Sequence, residues 1–124
     1  KAIEYYIKAM NMGNTKAANN LGYLYFNGVK GKLEPNAYKA IEYYVKAMDM
    51  GDSEAPFNLG VLFHRGLEGR LEPNIGKAIE YYTKAMERCN ASAAFHLGYL
   101  YKNGVLGRLA PDLGKAIEYY TKAK

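Results

Sequence analysis

The sequence predicts an all-α fold of stacked helical repeats, because two motifs recur along it at one fixed interval. The hexapeptide Lys-Ala-Ile-Glu-Tyr-Tyr occurs four times, and each copy begins 38 residues after the previous one. Between the copies, a Leu-Gly pair recurs at the same interval, with an aromatic residue four positions after the Leu. A fixed period of roughly 20–50 residues indicates an array of stacked units rather than one closed globule. The hexapeptides begin at Lys1, Lys39, Lys77 and Lys115.

The hexapeptide opens the first type of helix, which is called helix B. In its second copy the apolar residues recur at helical spacing and form one stripe, made of Ala40, Ile41, Tyr44, Ala47 and Met48. A good N-capping residue follows a proline before each later copy, at Asn36, Asn74 and Asp112. A glycine ends the first two helices, at Gly13 and Gly51. Cys89 takes the glycine position in the third copy, so we expect a strained turn there. The second Tyr of the hexapeptide is expected to pack between helix layers with its hydroxyl at the edge.

The Leu-Gly block predicts the second type of helix, called helix A. These helices are expected to run from Thr15, Ser53 and Ala91 to Asn27, Arg65 and Asn103, and to end at Gly28, Gly66 and Gly104. With Ser53 as N-cap, Pro56 is the third helical residue and removes no intrahelical hydrogen bond. A glycine inside a helix costs about 1 kcal/mol, so its recurrence predicts a close approach by the backbone of helix B. The affected glycines are Gly22, Gly60 and Gly98.

The predicted chain therefore has seven helices in the order B-A-B-A-B-A-B and no strand. The A–B connections are eight or nine residues long and should exceed the B–A connections in every repeat. We expect residues 1–124 to form one solenoid taken from a longer array, because the chain starts in mid-repeat. The repeats are expected to join at about 1–13, 14–51, 52–89 and 90–124.

Composition narrows the classes of function. The net charge of +5 favours acidic partners. No Lys/Arg run is longer than two and no nucleic-acid-binding motif occurs, which argues against a nucleic-acid ligand. No stretch approaches the ~18 apolar residues of a membrane span. Cys89 is the single cysteine, so the chain cannot form an internal disulfide. None of these features assigns a cellular compartment.

The combined motif resembles the Sel-one-like repeat family, which is related to the tetratricopeptide repeats but has a longer A–B loop. The residues that match the family motif are Leu21, Gly22, Tyr25, Gly28, Ala40, Tyr44 and Ala47, and the set recurs along the whole chain. The resemblance implies a right-handed α/α superhelix of antiparallel helix pairs with helix A on the concave side. It also implies an adaptor or scaffold function. The chain departs from the commonest family form by an extra leucine in each A–B loop, at Leu33, Leu71 or Leu109.

No catalytic or metal-binding set is evident in the sequence. His64 and His96 lie in different repeats without a nucleophile or metal-ligand spacing around them, so they are expected to be exposed polar residues on helix A. Asn90 opens a glycosylation sequon but is also placed as a helix N-cap. A basic residue after each Gly-x-x-Gly loop is compatible with a phosphate clamp or, more simply, with a solvated charge in a turn. The sequence therefore predicts a non-enzymatic protein without metal or cofactor.

The binding prediction comes from the side of helix A that faces away from its apolar stripe. Residues on this side change between repeats and mix aromatic with polar side chains, as recognition surfaces do. Phe57 and Phe95 have no assignable role in the core there. The favoured function is a scaffold that holds a segment of a partner protein on this surface; a carbohydrate or cell-envelope binding module is the alternative, and a merely solvated face also fits. The predicted contact residues are Asn19, Asn20, Tyr23, Phe26, Asn27, Phe57, Asn58, Val61, His64, Arg65, Phe95, His96, Tyr99, Lys102 and Asn103.

Overall fold

A computed structural model describes residues 2–67, 70–104 and 109–123 and confirms the all-α prediction. Within these ranges the chain forms seven helices and no strand. Helices α1, α3, α5 and α7 are the B helices, and α2, α4 and α6 are the A helices. Their bounds are α1 Ala2–Asn11, α2 Thr15–Asn27, α3 Ala37–Asp49, α4 Ala55–Arg65, α5 Ile75–Glu87, α6 Ala91–Asn103 and α7 Leu113–Ala123.

Each A helix packs most extensively against the B helix that follows it, so the repeating unit is an A–B pair: α2 with α3, α4 with α5, and α6 with α7. Nine residues connect A to B in each unit, whereas three or five residues connect B to the next A. The predicted order of loop lengths is therefore confirmed. Short B–A turns place consecutive units side by side, and the A helices form one layer while the B helices form the other.

Caps explain where most of the helices begin and end. The side chains of Asn36 and Asn74 each accept a hydrogen bond from the backbone N–H three residues later, at 3.0 Å, as predicted. The Asp112 carboxylate does the same for Lys115. Gly28, Gly66 and Gly104 end the A helices with φ between 66° and 69°, a region that costs glycine little.

Helix α4 begins later than predicted. The Asn14 and Asn90 side chains cap α2 and α6, and the matched Asp52 was expected to precede a helix capped by Ser53. Instead the helix begins at Ala55, and the Asp52 carboxylate accepts from the backbone N–H of Glu54 at 2.8 Å. In the register of the other A helices, the ring of Pro56 would meet the carbonyl of Asp52 and remove the first helical hydrogen bond. Starting at Ala55 places Pro56 in the first turn, where no backbone donor is needed.

The glycine of the Leu-Gly pair makes room for an aromatic ring rather than for a backbone. A Cβ atom on Gly60 would lie 2.5 Å from Cδ1 of Tyr82, and one on Gly22 would lie 2.5 Å from Cδ1 of Tyr44. Gly98 faces Tyr120 in the same way. Helix B therefore approaches helix A closely at the expected place, but the contact is made by a side chain: the second tyrosine of the second, third and fourth hexapeptides lies on the preceding A helix. We call this arrangement the glycine–tyrosine contact.

The long A–B loop is closed by its own backbone and by stacked aromatics. Val29 and Leu33 form an isolated antiparallel bridge, with 2.8 Å hydrogen bonds in both directions, and Leu67 pairs with Leu71 in the next loop. The extra leucine of each loop therefore supplies a bridge partner in these two repeats. At the loop's end, the Tyr25 and Tyr43 rings stack at 5.6 Å. The equivalent rings pair as Phe63–Tyr81 and Tyr101–Tyr119.

Polar contacts join neighbouring repeats at their edges. The Arg88 guanidinium donates to the backbone carbonyls of Met48 and Asp52, at 3.1 and 2.9 Å. The Asn58 amide donates to the Asn19 side-chain oxygen at 2.9 Å. Each contact spans about one repeat in sequence, so it fixes how successive units are stacked.

We predict that Gly60→Ala lowers the free energy of unfolding, while Gly76→Ala does not. A methyl group on Gly60 would overlap the buried Tyr82 ring, and overpacking costs about 1–3 kcal/mol. Gly76 lies in the first turn of α5, and a Cβ atom there would have no neighbour closer than the Asn74 side-chain oxygen at 3.5 Å. Gly76→Ala should therefore raise the free energy of unfolding by up to about 1 kcal/mol. Urea unfolding of both variants measures the difference. Equal effects at the two sites would contradict the glycine–tyrosine contact.

The turn at Cys89 gives a second prediction. Its φ of 67° confirms the expected strain, since Gly13 and Gly51 hold the same turn position at 95° and 98°. A left-handed conformation costs a side chain roughly 1–2 kcal/mol. Cys89→Gly should therefore raise the free energy of unfolding by about 1 kcal/mol after the extra entropy of glycine is counted. Gly51→Ala, with nothing within 4 Å of its new methyl group, should lower it. Thermal unfolding measures the stability of both variants. A less stable Cys89→Gly together with a more stable Gly51→Ala would refute the strain at Cys89.

Candidate functional site

The outward side chains of α2, α4 and α6 form a continuous surface, which we call the A-layer face. All fifteen predicted contact residues belong to these three helices. Eight of them are exposed: Asn20, Tyr23, Asn27, Arg65, Phe95, Tyr99, Lys102 and Asn103. The other seven are half-buried: Asn19, Phe26, Phe57, Asn58, Val61, His64 and His96.

The structure brings six of these residues together in one pocket between α4 and α6. The pocket has a volume of about 300 Å³. One further residue lines it from the second layer, the buried Tyr82 of α5, which the sequence interpretation had placed in the core alone. Its position four residues after the hexapeptide's Ala78 marks it as an interlayer residue, and no sequence signal shows that it also reaches the pocket. The predicted residues that line it are Val61, His64, Arg65, Phe95, His96 and Tyr99.

Phe57 packs more deeply than predicted. Its ring lies 5.0 Å from that of His96, edge to face, and 5.8 Å from that of Tyr82. It also packs against the main hydrophobic core. The expectation that Phe57 faces away from the core is therefore wrong, because the next repeat covers the side of α4 that a single-helix projection leaves open.

The two histidines are half-buried rather than exposed. Nδ1 of His96 lies 2.8 Å from the carbonyl oxygen of Ser92. In the neutral form Nδ1–H donates to that carbonyl, which leaves Nε2 to accept a hydrogen bond. Burial lowers the pKa of His64, and the neighbouring His96 and Arg65 lower it further. His64 is therefore uncharged near pH 7, whereas the neighbouring Arg65 guanidinium is charged.

The Tyr82 hydroxyl is buried and has no hydrogen-bond partner in the described part of the chain. The expectation that this hydroxyl reaches the edge of the layer is wrong for the central repeat. Burial raises the pKa of Tyr82, as it does that of Tyr44, so both phenols stay protonated at neutral pH. A buried hydroxyl without a partner is uncommon in native structures.

Several amide side chains on the A-layer face already have partners. Asn58 donates to Asn19, so its amide nitrogen links two repeats. Asn27 and Asn103 each donate to a carbonyl in the preceding turn of their own helix. Asn20, Asn58 and His96 hold matched positions, but only Asn20 is exposed, while Asn58 and His96 are half-buried.

The other sequence features have structural roles. Arg70, the basic residue after the second Gly-x-x-Gly loop, pairs with Glu34 of the preceding loop at 3.1 Å, as expected of a solvated charge. The matching Arg108 lies outside the described residues. Asn90 caps α6. Over the ranges described, no three His, Cys, Asp or Glu side chains are placed to hold a metal ion, and no helix is long and apolar enough to cross a membrane.

Stacked A–B helix pairs with an exposed A layer define the class as an α-solenoid repeat protein. The sequence model of the Sel1 repeat matches residues 1–14, 15–52, 53–88 and 91–124. The chain therefore belongs to the Sel1 repeat family, as the motif predicted. Proteins of this family are in general non-catalytic scaffolds for protein–protein interaction. Among curated proteins, none matches the chain.

Solved structures give the same fold. A Sel1 repeat protein from Oxalobacter formigenes is 34% identical over 90% of this chain and 42% of its own, with a TM-score of 0.69. The protein c5321, a protective antigen of uropathogenic Escherichia coli, is 27% identical over 98% of this chain and 25% of its own, with a TM-score of 0.78. Cysteine-rich protein B of Helicobacter pylori is 24% identical over 98% of this chain and 83% of its own, with a TM-score of 0.66. The chain spans less than half the length of the first two proteins.

The lowered pKa of His64 predicts a loss of stability on mild acidification. The unfolded chain binds a proton on His64 near its ordinary pKa of 6.5, whereas the folded chain binds one only at lower pH. Stability therefore falls as pH drops through 6.5 toward the folded pKa. Urea unfolding at pH 7.5 and 5.5 should show a larger loss for the wild type than for His64→Gln. An equal loss in both proteins would mean that His64 is not desolvated.

Proposed function

We propose that this protein is a non-enzymatic scaffold that binds an extended segment of a partner protein along the A-layer face. The observation that carries the proposal is the pocket between α4 and α6, which opens among exposed aromatic side chains. Phe95 and Tyr99 at its rim are 53% and 54% exposed. Large aromatic side chains held out to solvent beside a pocket are typical of binding anchors.

Variation between repeats supports the same surface. The position that Phe57 and Phe95 occupy in α4 and α6 is held by Asn19 in α2. The position that Tyr23 and Tyr99 occupy in α2 and α6 is held by Val61 in α4. The glycine–tyrosine contacts between the two layers are present in all three A–B pairs. A scaffold needs a uniform frame and a variable face, because each repeat then meets a different part of an extended partner.

The proposal is tested first by finding a partner and then by locating its contact. Cross-linking mass spectrometry after affinity capture from cells that express the protein should identify a segment cross-linked to α4 or α6. A synthetic peptide of that segment provides the ligand for quantitative binding.

Tyr99→Ala should weaken binding of this peptide by about 2 kcal/mol, or roughly 30-fold, because an exposed anchor is lost at the pocket. Tyr38→Ala is the matched control, since Tyr38 is 67% exposed but lies on α3 in the other layer. It should leave the affinity unchanged. Both variants should keep the wild-type melting temperature within a few degrees, as neither ring is buried. Calorimetric titration that shows the larger loss for Tyr38→Ala would place the binding surface on the B layer.

Phe57 is not suitable for this test. Its ring contacts Tyr82 and His96, so Phe57→Ala would open a space under the pocket and reduce stability together with binding.

A further inference from the structure

Charge is segregated between the two helix layers. The chain has 12 acidic residues, and none of them lies within α2, α4 or α6. These three helices instead carry three cations, one each. The B helices contain acidic and basic residues together, as the recurring hexapeptide requires. Glu54 directly precedes α4 and lines a surface depression together with Lys16, so the positive charge of the A-layer face is concentrated at Arg65 and Lys102. Its cations are Lys16, Arg65 and Lys102.

One of these cations, Arg65, lies at the pocket. Arg65 lies at the end of α4 and lines the pocket, with its side chain exposed. Opposite it are the aromatic side chains of Phe95 and Tyr99 on α6. A planar guanidinium beside an apolar cavity can form a bidentate pair with a carboxylate while the cavity holds a neighbouring apolar group.

The size and lining of the pocket limit what fits inside it. A volume of about 300 Å³ is at the lower end for ligand sites, so it has room for one large side chain rather than a helix or a cofactor. Val61 and the two aromatic side chains on α6 make the interior mostly apolar. A carboxylate inside the pocket would lose its hydration. At the exposed rim, a carboxylate could pair with Arg65 and stay partly hydrated.

We infer that the pocket takes a large apolar side chain from an acidic partner segment, with an adjacent Asp or Glu of that segment on Arg65. The inference rests on the proposed function and names the chemistry of the partner. The positive A-layer face attracts such a segment over distance, and the pair with Arg65 fixes its register at the pocket.

The experiment uses a display library of random 12-residue peptides selected on the 124-residue chain. Selected peptides are expected to carry Asp or Glu next to Phe, Tyr, Leu, Ile or Met. For the best binder, Kd is measured by fluorescence anisotropy, together with a version in which the acidic residue is replaced by its amide. The amide version should bind at least tenfold more weakly at low salt, and the difference should shrink as ionic strength rises.

Variants of the protein locate the effect. Arg65→Gln should abolish the preference for the acidic over the amide peptide. Arg70→Gln is the matched control, because Arg70 lies in the A–B loop and already pairs with Glu34. It should leave the preference intact. Lys102→Gln is a second A-layer variant and should reduce affinity less than Arg65→Gln, since Lys102 does not line the pocket. Circular dichroism confirms that each variant is folded before binding is compared.

The outcomes separate this inference from the function on which it rests. Selected peptides without acidic residues, whose binding is lost in Tyr99→Ala but unchanged in Arg65→Gln, would overturn the acidic partner and leave the binding surface standing. Selected peptides whose binding is insensitive to both variants would overturn the surface as well. An equal loss of preference in Arg65→Gln and Arg70→Gln would show general charge attraction and would also overturn the specific pair.

Discussion

The contact between a helix-A glycine and a helix-B tyrosine determines how the two helices of every A–B unit pack together. The ring of Tyr82 lies where a Cβ atom of Gly60 would be, and the same arrangement joins α2 to α3 and α6 to α7. Because the glycine has no side chain, the tyrosine ring lies directly on the backbone of helix A, and the two helices of each unit pack closely. The unit then repeats every 38 residues with one geometry, which allows short B–A turns to stack successive units.

This constraint also links the core to the pocket. Tyr82 fills the space above Gly60 and lines the pocket from below, between His64 of one repeat and His96 of the next. The aromatic rings of α4, α5 and α6 thus form one continuous cluster. Each A helix packs against the core on one side and is exposed on the other, so the sequence of its exposed side varies between repeats. The B helices keep the recurring hexapeptide. The separation of charge follows this division, since the hexapeptide places a glutamate on every B helix.

Much of the fold was predictable from the sequence because the repeat copies can be aligned with one another, which shows the positions that recur. Helix boundaries followed from recurring Asn, Pro and Gly residues, and the strain at Cys89 followed from its occupying a glycine position. The start of α4 was missed because the clash of Pro56 depends on the register of the first turn. Phe57 and the histidines were placed wrongly for another reason: a helical projection describes one helix, whereas their burial comes from side chains one repeat away. For the same reason, Tyr82 was recognised as a core residue but not as a wall of the pocket. The face that holds the candidate site was predictable, whereas the pocket itself depends on how two repeats are stacked.

We propose that the B layer is the structural frame and that the A layer binds the partner. Amide chemical-shift mapping of the ¹⁵N-labelled chain, titrated with the peptide of its cross-linked partner, tests this claim most directly. We expect the largest shifts in α4 and α6, around Val61, Arg65 and Tyr99, and no change on the outer surfaces of α3 and α5. Shifts concentrated on α3 and α5, with α4 and α6 unaffected, would contradict it.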